Sequence, residues 1–242
     1  MTRRVLILAG TSLAREACAA VADLDVVASL AGVTAAPIGY AVPVRIGGFG
    51  GEAAFAAALD GVSAVLDATH PFAARMTARA VAVCAERGLP YLRLVTPGWT
   101  SEPGWTWHAD AGVAAEALPP GARVLLTVGP GSVAPFLERG LKLWCRRIDL
   151  GPPVAGVEWI VARPPFAESE ERALLARLRI THLVTKDSGG ARAKLDAAAA
   201  LGVAVHVIAR PPSPGGEETH DIQRAIAFVR AHAAPLPDHL DR

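Results

Sequence analysis

Short apolar runs alternate along the chain with longer segments of helical periodicity. The clearest case spans residues 65–97, where apolar Val65–Ala68 precedes a polar corner at Thr69–Phe72, a helix pattern to about Arg87 and apolar Pro90–Val95. A strand that is apolar at consecutive positions is typical of a parallel sheet with helices on both faces. The pattern therefore predicts a strand–helix–strand unit with polar side chains where its first strand ends.

The same order of strand, polar corner, helix, glycine and strand recurs at residues 182–211. Each half also begins with a strand that enters a glycine turn. Val5–Ala9 leads into Gly10-Thr11-Ser12, and Arg123–Val128 leads into Gly129–Ser132. Because strands and helices alternate throughout, we predict an α/β fold of two Rossmann-like lobes, with parallel sheets and a cleft between them.

The remaining elements follow from the same patterns. Helices are expected at 13–22, 111–118, 133–139, 169–178 and 222–232, and an Ala-rich helix is expected to follow Gly51 and end at Leu59. Strands are expected at 25–30, 141–148 and 157–162. Pro71 is expected at the first helical position of its helix. Residues 97–112 lack a sustained period and are rich in Pro, Gly and Trp, which predicts an irregular segment, with the hinge between the lobes near 97–121. We therefore expect an N-terminal lobe at 1–118 and a C-terminal lobe at 119–242, which ends in a loose tail from Ala234.

Composition narrows the functional classes. The chain has 242 residues, of which 52% are hydrophobic and 19% charged, so it can bury a sizeable core. A net charge of +1 gives no general basic field for nucleic acid. Cys18, Cys84 and Cys145 lie in apolar periodic segments and are expected to be reduced core thiols. No apolar run reaches membrane-spanning length, and Val5–Ala9 is too short for an export signal, so we expect a cytoplasmic protein. The oligomeric state is left open, with a monomer as one option.

The first glycine turn is a candidate phosphate site. At Gly10, Thr11 and Ser12 the backbone can approach a diphosphate, and a helix N-terminus favours its charge. Arg15, one turn later, is a further candidate phosphate contact. The usual G-x-G-x-x-G pattern is missing, so an ordinary capped helix is an equally good interpretation of this turn.

A second glycine cluster spans residues 47–51. Gly47 and Gly48 allow a ligand to press against the backbone, Phe49 could stack on a flat ring, and Arg45 could meet a ribose phosphate. The alternative is a flexible turn before a helix.

The corner Thr69-His70-Pro71-Phe72 is more distinctive. Thr69 and His70 are expected at the sheet edge beside a helix N-terminus, which disfavours a positively charged imidazole, so His70 is predicted to be neutral. A purely structural capping role for His70 is the alternative. Asp67 is expected to be a partner of the backbone rather than a base.

The second half offers groups that suit carboxylates. Two segments are involved, Gly129–Ser132 and Thr185–Gly190. Lys186 provides an ammonium, and the hydroxyls and open N–H groups of these segments add hydrogen-bond donors. The candidate residues are Thr127, Gly129, Gly131, Ser132, Lys186, Asp187, Ser188, Gly189 and Gly190, with Arg93 and Arg210 as weaker candidates. The alternative is a capped helix with solvated charges.

Several mechanisms lack their motifs. Four residues after Tyr40 and Tyr91 come Val44 and Val95, so the Tyr-x-x-x-Lys of short-chain dehydrogenases is absent. Neither a G-x-S-x-G elbow nor a P-loop occurs. His182, His206, His220 and His232 show no metal-ligand spacing, so no metal is expected.

Taken together, these motifs resemble the precorrin-6A reductase family of cobalamin biosynthesis. The matching segments are LILAGTSLAR, SLAG with Gly32, RIGGFGG, DATHPFA, LRLVTPGW, LLTVGPGS and VTKDSGG. The resemblance implies a two-lobed enzyme that uses NADPH to reduce a ring double bond of precorrin-6A, giving precorrin-6B. The Arg that commonly follows SLAG is Val33 here, which leaves Arg15 and Arg45 as candidates for the ribose 2′-phosphate. The resemblance is compatible with both the cobalt-free and the cobalt-bearing form of the substrate.

The residue-level interpretation agrees with this expectation. NADPH is expected on the N-terminal half, with Thr69–Phe72 near the nicotinamide, and an anionic tetrapyrrole on the C-terminal half. The proton that follows the hydride could come from solvent, from the substrate or from His70, and the stereochemistry is left open. The alternatives are an S-adenosylmethionine-dependent methyltransferase, which would lack its G-x-G-x-G loop, and a non-catalytic two-lobed binding protein.

Overall fold

The computed structural model describes residues 3–32, 39–149 and 151–236. They form two compact units. The first runs up to Pro97 and resumes at Pro211, and the second comprises Gly98–Arg210. Val33 lies outside the described residues, as does the end of the expected tail beyond Leu236.

Strands and helices alternate, as the apolar pattern predicted. The strands are β1 (Arg4–Leu8), β2 (Val26–Leu30), β3 (Val44–Ile46), β4 (Val62–Asp67), β5 (Tyr91–Leu94), β6 (Trp105–His108), β7 (Arg123–Thr127), β8 (Lys142–Arg147), β9 (Val157–Val161), β10 (His182–Lys186), β11 (Ala204–Ile208) and β12 (Glu218–Thr219). The helices are α1 (Ser12–Ala20), α2 (Glu52–Ala58), α3 (Ala74–Arg87), α4 (Ala111–Glu116), α5 (Glu168–Arg177), α6 (Ala193–Ala200) and α7 (Ile222–His232). No helix in the described ranges is long and apolar enough to cross a membrane.

The continuously apolar strands are buried on both faces. In β1, Val5 and Ile7 join a core cluster with α1 and α7, whereas Leu6 and Leu8 join a second cluster with α2 and α3. Successive side chains of a strand point to opposite faces, so the single run VLIL supplies both layers. Helices on both faces of the sheet thus explain the absence of polar alternation.

Each unit contains one six-stranded sheet in which every described pairing is parallel. The first has the order β12-β5-β4-β1-β2-β3 and the second the order β6-β11-β10-β7-β8-β9. The two orders correspond position by position: β1 matches β7, β4 matches β10, and β5 matches β11. The prediction of two Rossmann-like lobes with parallel sheets is confirmed.

One edge strand of each sheet, β12 in the first and β6 in the second, is formed directly after the chain has crossed from the other unit. After β5 the chain passes into the second unit and forms β6 beside β11, and after β11 it returns and forms β12 beside β5. The compact units therefore differ from the expected lobes at 1–118 and 119–242. The residues between Gly98 and Leu118 belong to the second unit. Helix α7 belongs to the first, where it buries Ala225 and Val229 against the sheet.

Three local expectations are wrong. Residues 105–108, expected to be irregular, form β6, because the aromatic segment WTWH pairs with β11 at the sheet edge. The helix expected at 133–139 is replaced by two 3₁₀ turns, Pro130–Ser132 and Ala134–Phe136. Prolines at 130 and 135 remove backbone donors there and favour short turns. The start of the tail is not loose, since Ala234 N donates to Arg3 O (2.8 Å) and Asp25 N donates to Ala234 O (2.8 Å).

The cysteines are core residues, as expected. All three are buried and free. Burial raises the pKa of Cys18 to about 12 and, as the largest cause, that of Cys84 and Cys145 to about 11. The thiolate form is therefore disfavoured at neutral pH, which argues against a nucleophilic role.

Candidate functional site

The candidate cofactor residues of the first unit lie at the carboxyl edge of its sheet. Strand β1 has β2 on one side and β4 on the other, so the chain order reverses between β1 and β4. In open α/β sheets, ligands bind in the crevice at such a reversal. The Gly10 turn follows β1 and the Thr69–Phe72 corner follows β4, so the fold brings these two predicted segments to neighbouring positions.

The first glycine turn leaves its backbone open. Gly10 has a φ of 137°, which favours glycine, and a Cβ there would meet nothing within 4 Å. Thr11 caps α1, because its Oγ1 accepts from Ala14 N (3.1 Å) and donates to Ala68 O (2.8 Å). The Thr11 hydroxyl therefore joins the turn to the end of β4. The backbone of Gly10 and Ser12 is what a ligand can approach.

Arg15 lies on α1 beside Tyr40, a residue that the sequence did not single out. Burial raises the pKa of the Tyr40 phenol, and the nearby Arg15 guanidinium acts in the opposite direction. Tyr40 stands in an irregular stretch where no periodicity indicated its position. The structure thus adds an aromatic hydroxyl beside the first glycine turn.

The second and third strands bring two more glycines together. Gly47 N donates to Leu30 O (2.9 Å), and a Cβ on Gly32 would lie 3.5 Å from the Gly47 Cα. Arg45 supports this loop from within, since its guanidinium donates to Gly47 O (2.5 Å) and Gly48 O (3.1 Å). A Cβ at Gly47 or Gly48 would meet nothing within 4 Å, so this backbone is open on its outer side.

Phe49 does not present a free ring, contrary to the expectation of ligand stacking. It is 9% exposed and packs edge-on against Phe55, with the ring centroids 4.8 Å apart. The Arg45 guanidinium lies 4.0 Å from the Phe49 centroid and covers one face. The apolar ring therefore holds the glycine loop on the core.

The end of β4 carries a buried carboxylate network. Asp67 is fully buried, and its Oδ1 accepts from Thr69 N (3.0 Å) and Thr69 Oγ1 (2.7 Å). Its Oδ2 accepts from Tyr91 Oη (3.0 Å), and burial together with the Asp67 charge raises the pKa of Tyr91. The expectation that Asp67 serves the backbone rather than acting as a base agrees with these contacts. The network fixes the position of Thr69.

His70 follows in a turn rather than at a helix start. Ala73 N donates to His70 O (2.8 Å), and α3 begins only at Ala74, so Pro71 occupies the second position of a β-turn and the expectation of a first helical position is wrong. Phe72 N donates to His70 Nδ1 (3.2 Å). Nδ1 thus serves as an acceptor within the turn, and the neutral imidazole stays a prediction. Pro71 is buried and Phe72 is half-buried.

The second unit has the matching arrangement at its own chain reversal, between β7 and β10. Thr127 Oγ1 donates to Val184 O (3.3 Å), which joins the ends of these two strands. Gly129 has a φ of 81°, and a Cβ at Gly129 or Gly131 would meet nothing within 4 Å. Ser132 closes this turn, since its N–H donates to Gly129 O (3.2 Å).

The loop after β10 holds the remaining candidates. Lys186 is half-buried, and burial lowers the pKa of its ammonium. Gly189 and Gly190 have φ values of 67° and 69°, a conformation that favours glycine. Ser188 is half-buried between them and Asp187. The structure therefore brings a cation, a hydroxyl and glycine backbone together with the Gly129 turn.

Asp187 differs from the other residues of this loop and is not placed to receive a ligand. It is 5% exposed, and its Oδ1 accepts from Trp99 N (3.0 Å). Its Oδ2 forms an ion pair with Arg210 Nε (3.1 Å). Both carboxylate oxygens are thus engaged within the protein, and the expected contact of Asp187 with substrate stays a prediction. Its partners lie far away in sequence, so no local pattern could have indicated them.

Comparisons with known proteins agree with these features. The family model described as precorrin-6x reductase CbiJ/CobK matches residues 4–230. A precorrin-6A reductase of Rhodococcus erythropolis is 45% identical over 93% of this chain and 97% of its own. One of Rhodobacter capsulatus is 38% identical over 96% and 97%.

A solved structure, CobK precorrin-6A reductase, superimposes with a TM-score of 0.88 at 38% identity and covers 97% of this chain and 98% of its own. Sequence and fold therefore match along nearly the whole length of both chains. This chain belongs to the precorrin-6x reductase family, CbiJ/CobK.

Proposed function

We propose that this protein uses NADPH to reduce a ring double bond of precorrin-6A, giving precorrin-6B in cobalamin biosynthesis. In this proposal the dinucleotide binds the first unit and the tetrapyrrole binds the second. Family membership makes the chain an oxidoreductase of this pathway that acts on a ring C=C bond. This assignment of ligands rests on a contrast between the two sheet edges. The edge of the first unit presents open glycine backbone, whereas the edge of the second unit also carries the cationic side chain of Lys186.

The residues of the first unit fit a dinucleotide. A diphosphate needs backbone N–H groups that it can approach without meeting side chains. Gly10, Gly47 and Gly48 have open space where a Cβ would be, and all lie after strands at the carboxyl edge. The helix dipole of α1, which begins at Ser12, adds favourable positive potential.

Arg15 is the better candidate for the ribose 2′-phosphate. The Arg45 guanidinium already donates to two carbonyl groups of its own loop. Arg15, in contrast, lies half-buried beside the glycine turn and the Tyr40 hydroxyl. Arg45 then acts indirectly, by holding Gly47 and Gly48 in place.

The residues of the second unit suit a ligand with many carboxylates. Lys186 would pair with a substrate carboxylate, and Ser188 and Ser132 would donate hydrogen bonds. Glycines at 129, 131, 189 and 190 would let the macrocycle approach the backbone. Arg93 is paired with Glu218 (3.0 Å) and Arg210 with Asp187, so neither is placed as a primary carboxylate ligand.

The protein mainly orients the two reactants and excludes water. NADPH, when bound, supplies the hydride to one carbon of the ring double bond, and a proton reaches the other. Thr69, held by Asp67, positions the corner near the nicotinamide. Because a neutral imidazole does not release its N–H proton near neutral pH, a His70 whose Nδ1 accepts from Phe72 N would donate a hydrogen bond through Nε2, and the proton would come from solvent or from an acidic position of the substrate.

Binding measurements test this proposal. NADPH and NADH are titrated separately, and turnover is followed by NADPH oxidation with precorrin-6A and its cobalt-bearing form. We expect NADPH to bind more tightly than NADH, and oxidation to require the tetrapyrrole. Binding of S-adenosylmethionine with no response to NADPH would contradict the reductase proposal.

Lys186→Ala tests the assignment of the two units. We expect the KM for the tetrapyrrole to rise about tenfold or more, because a charge-assisted contact is lost, while the Kd for NADPH changes little. Lys142→Ala, at the exposed amino end of β8, is the matched control. If Lys186→Ala weakened NADPH binding instead, the two units would have the opposite roles.

A further inference from the structure

The chain passes between the two units twice, and both connections meet one buried carboxylate. The first enters the second unit at Gly98, and the second leaves it at Arg210. Asp187 holds both of these ends. Its Oδ1 accepts from Trp99 N (3.0 Å), while Arg210 Nε lies 3.0 Å from the Asp187 carbonyl O and 3.1 Å from its Oδ2.

The first connection fits closely against this carboxylate. A Cβ at Gly98 would lie 2.8 Å from Asp187 Oδ2, so glycine lets the chain approach. Trp99 also donates from Nε1 to Gly190 O (3.3 Å) and is 9% exposed. The connection is thus bonded to both ends of the loop from Asp187 to Gly190.

The same two connections are also paired at the first unit. There β5 pairs with β12, Val95 N donates to Thr219 O (3.1 Å), and Val95 O lies 2.7 Å from His220 Nδ1. Each unit therefore fixes the departing and the returning segment side by side. In the second unit β6 pairs with β11, and the Asp187 side chain additionally joins the two segments next to the crossings, at Trp99 and Arg210.

We propose that Asp187 is a positioning residue for the reduction: it locks both connections to the loop Lys186–Gly190 and so fixes how that loop is presented for hydride transfer. This inference rests on the proposed function, in which the loop binds the tetrapyrrole. Hydride transfer depends steeply on geometry, since a small misplacement of the reactants costs about 10²-fold in rate. Asp187 acts through the loop and the connections and touches neither reactant.

Kinetic variants test the proposal. Asp187→Ala removes the side-chain contacts with Trp99 N and Arg210 Nε but keeps its own carbonyl O as an acceptor. Arg210→Gln removes the ion pair and the Nε donor to that carbonyl, and it leaves the loop sequence intact. We expect kcat to fall by about tenfold or more in both, with the KM for the tetrapyrrole and the Kd for NADPH changing less than about threefold. The double variant should be little worse than Asp187→Ala, because the two residues share one contact. Glu158→Ala, which removes the acceptor of the Trp144 Nε1 hydrogen bond (2.8 Å) in the same unit, should keep its kcat.

Hydrogen exchange provides a readout that does not depend on turnover. In Arg210→Gln, the amides at 98–100 should exchange faster together with those at 209–210, because the loss of one partner loosens Asp187 for the other. A wild type that fails to oxidise NADPH with the tetrapyrrole would contradict the proposed function, whereas this coupled exchange tests the role of Asp187 by itself.

Three results would overturn the inference. A large rise in the KM for Asp187→Ala with kcat preserved would make Asp187 a substrate ligand. A lowered melting temperature with unchanged kcat below it would make the contact purely structural. Faster exchange at 209–210 alone in Arg210→Gln would show that the connections are not coupled.

Discussion

Among single residues, two aspartates hold loops, which was expected for Asp67, whereas Asp187 was expected to bind substrate. Asp67 binds Thr69 and Tyr91, and Asp187 binds Trp99 and Arg210. The apolar pattern placed both near the ends of strands. Tyr91 and Trp99 could not be inferred as partners, because groups 24 and 88 residues away become neighbours only through the fold.

The Asp67 network predicts a graded loss of stability. Asp67→Ala leaves three donors without their acceptor and should lower the free energy of unfolding by about 1–3 kcal/mol or more. Tyr91→Phe removes one donor and should cost about 1 kcal/mol. Urea denaturation of both variants and the wild type measures the order. Equal stability of Asp67→Ala and the wild type would show that these hydrogen bonds contribute little.

At the scale of elements, periodicity predicted the long helices and buried strands and missed the short ones. Helix α7 begins and ends where the pattern placed it, at Ile222 and His232. Strand β12 has two residues and β6 has four, too few to show alternation, and both depend on pairing with a distant strand. Phe49 illustrates a further limit, since an aromatic residue in a glycine loop can face either a ligand or the core.

Three histidines in a row across β6, β11 and β10 give the second sheet a pH dependence. His108 Nε2 lies 2.9 Å from His206 Nδ1, and the His182 ring lies 5.4 Å from that of His206. Burial, and then the neighbouring His108 and His182, lower the pKa of His206 to about 4. The unfolded chain, with a His pKa near 6.5, therefore binds more protons in this range.

The contribution of neutral His206 to the free energy of unfolding should be fully present above about pH 6.5. It should decrease as the pH falls towards about 4. Thermal unfolding of the wild type and of His206→Gln across this range measures the effect. The variant should start less stable and show the shallower pH dependence. Parallel curves for the two proteins would contradict the assigned role of His206.

For the whole molecule, the internal repeat was visible in the sequence. The two edge strands that follow the crossings between units, β6 and β12, were not. A repeat shows that two sheets exist, whereas the membership of an edge strand is decided by a pairing between distant segments. The Pro- and Gly-rich stretches at 97–104 and 211–216 mark the crossings. Only the first was recognised as a hinge.

The positions of β6 and β12 predict which fragments of the chain fold independently. A fragment of residues 98–210 carries all six strands of its sheet and should unfold cooperatively, as followed by circular dichroism. A fragment of residues 119–242 lacks β6 and carries α7 without its sheet, so it should give no cooperative transition. Cooperative unfolding of the second fragment but not of the first would contradict the assignment of the strands.

In the proposed function, nucleotide and tetrapyrrole bind separate units. Amide hydrogen exchange of the full chain with and without NADPH locates the nucleotide. We expect protection at residues 9–15, 45–51 and 68–73, with little change at 129–132 and 186–190. Protection by NADPH at Lys186–Gly190, with none at Gly10–Ser12, would contradict it.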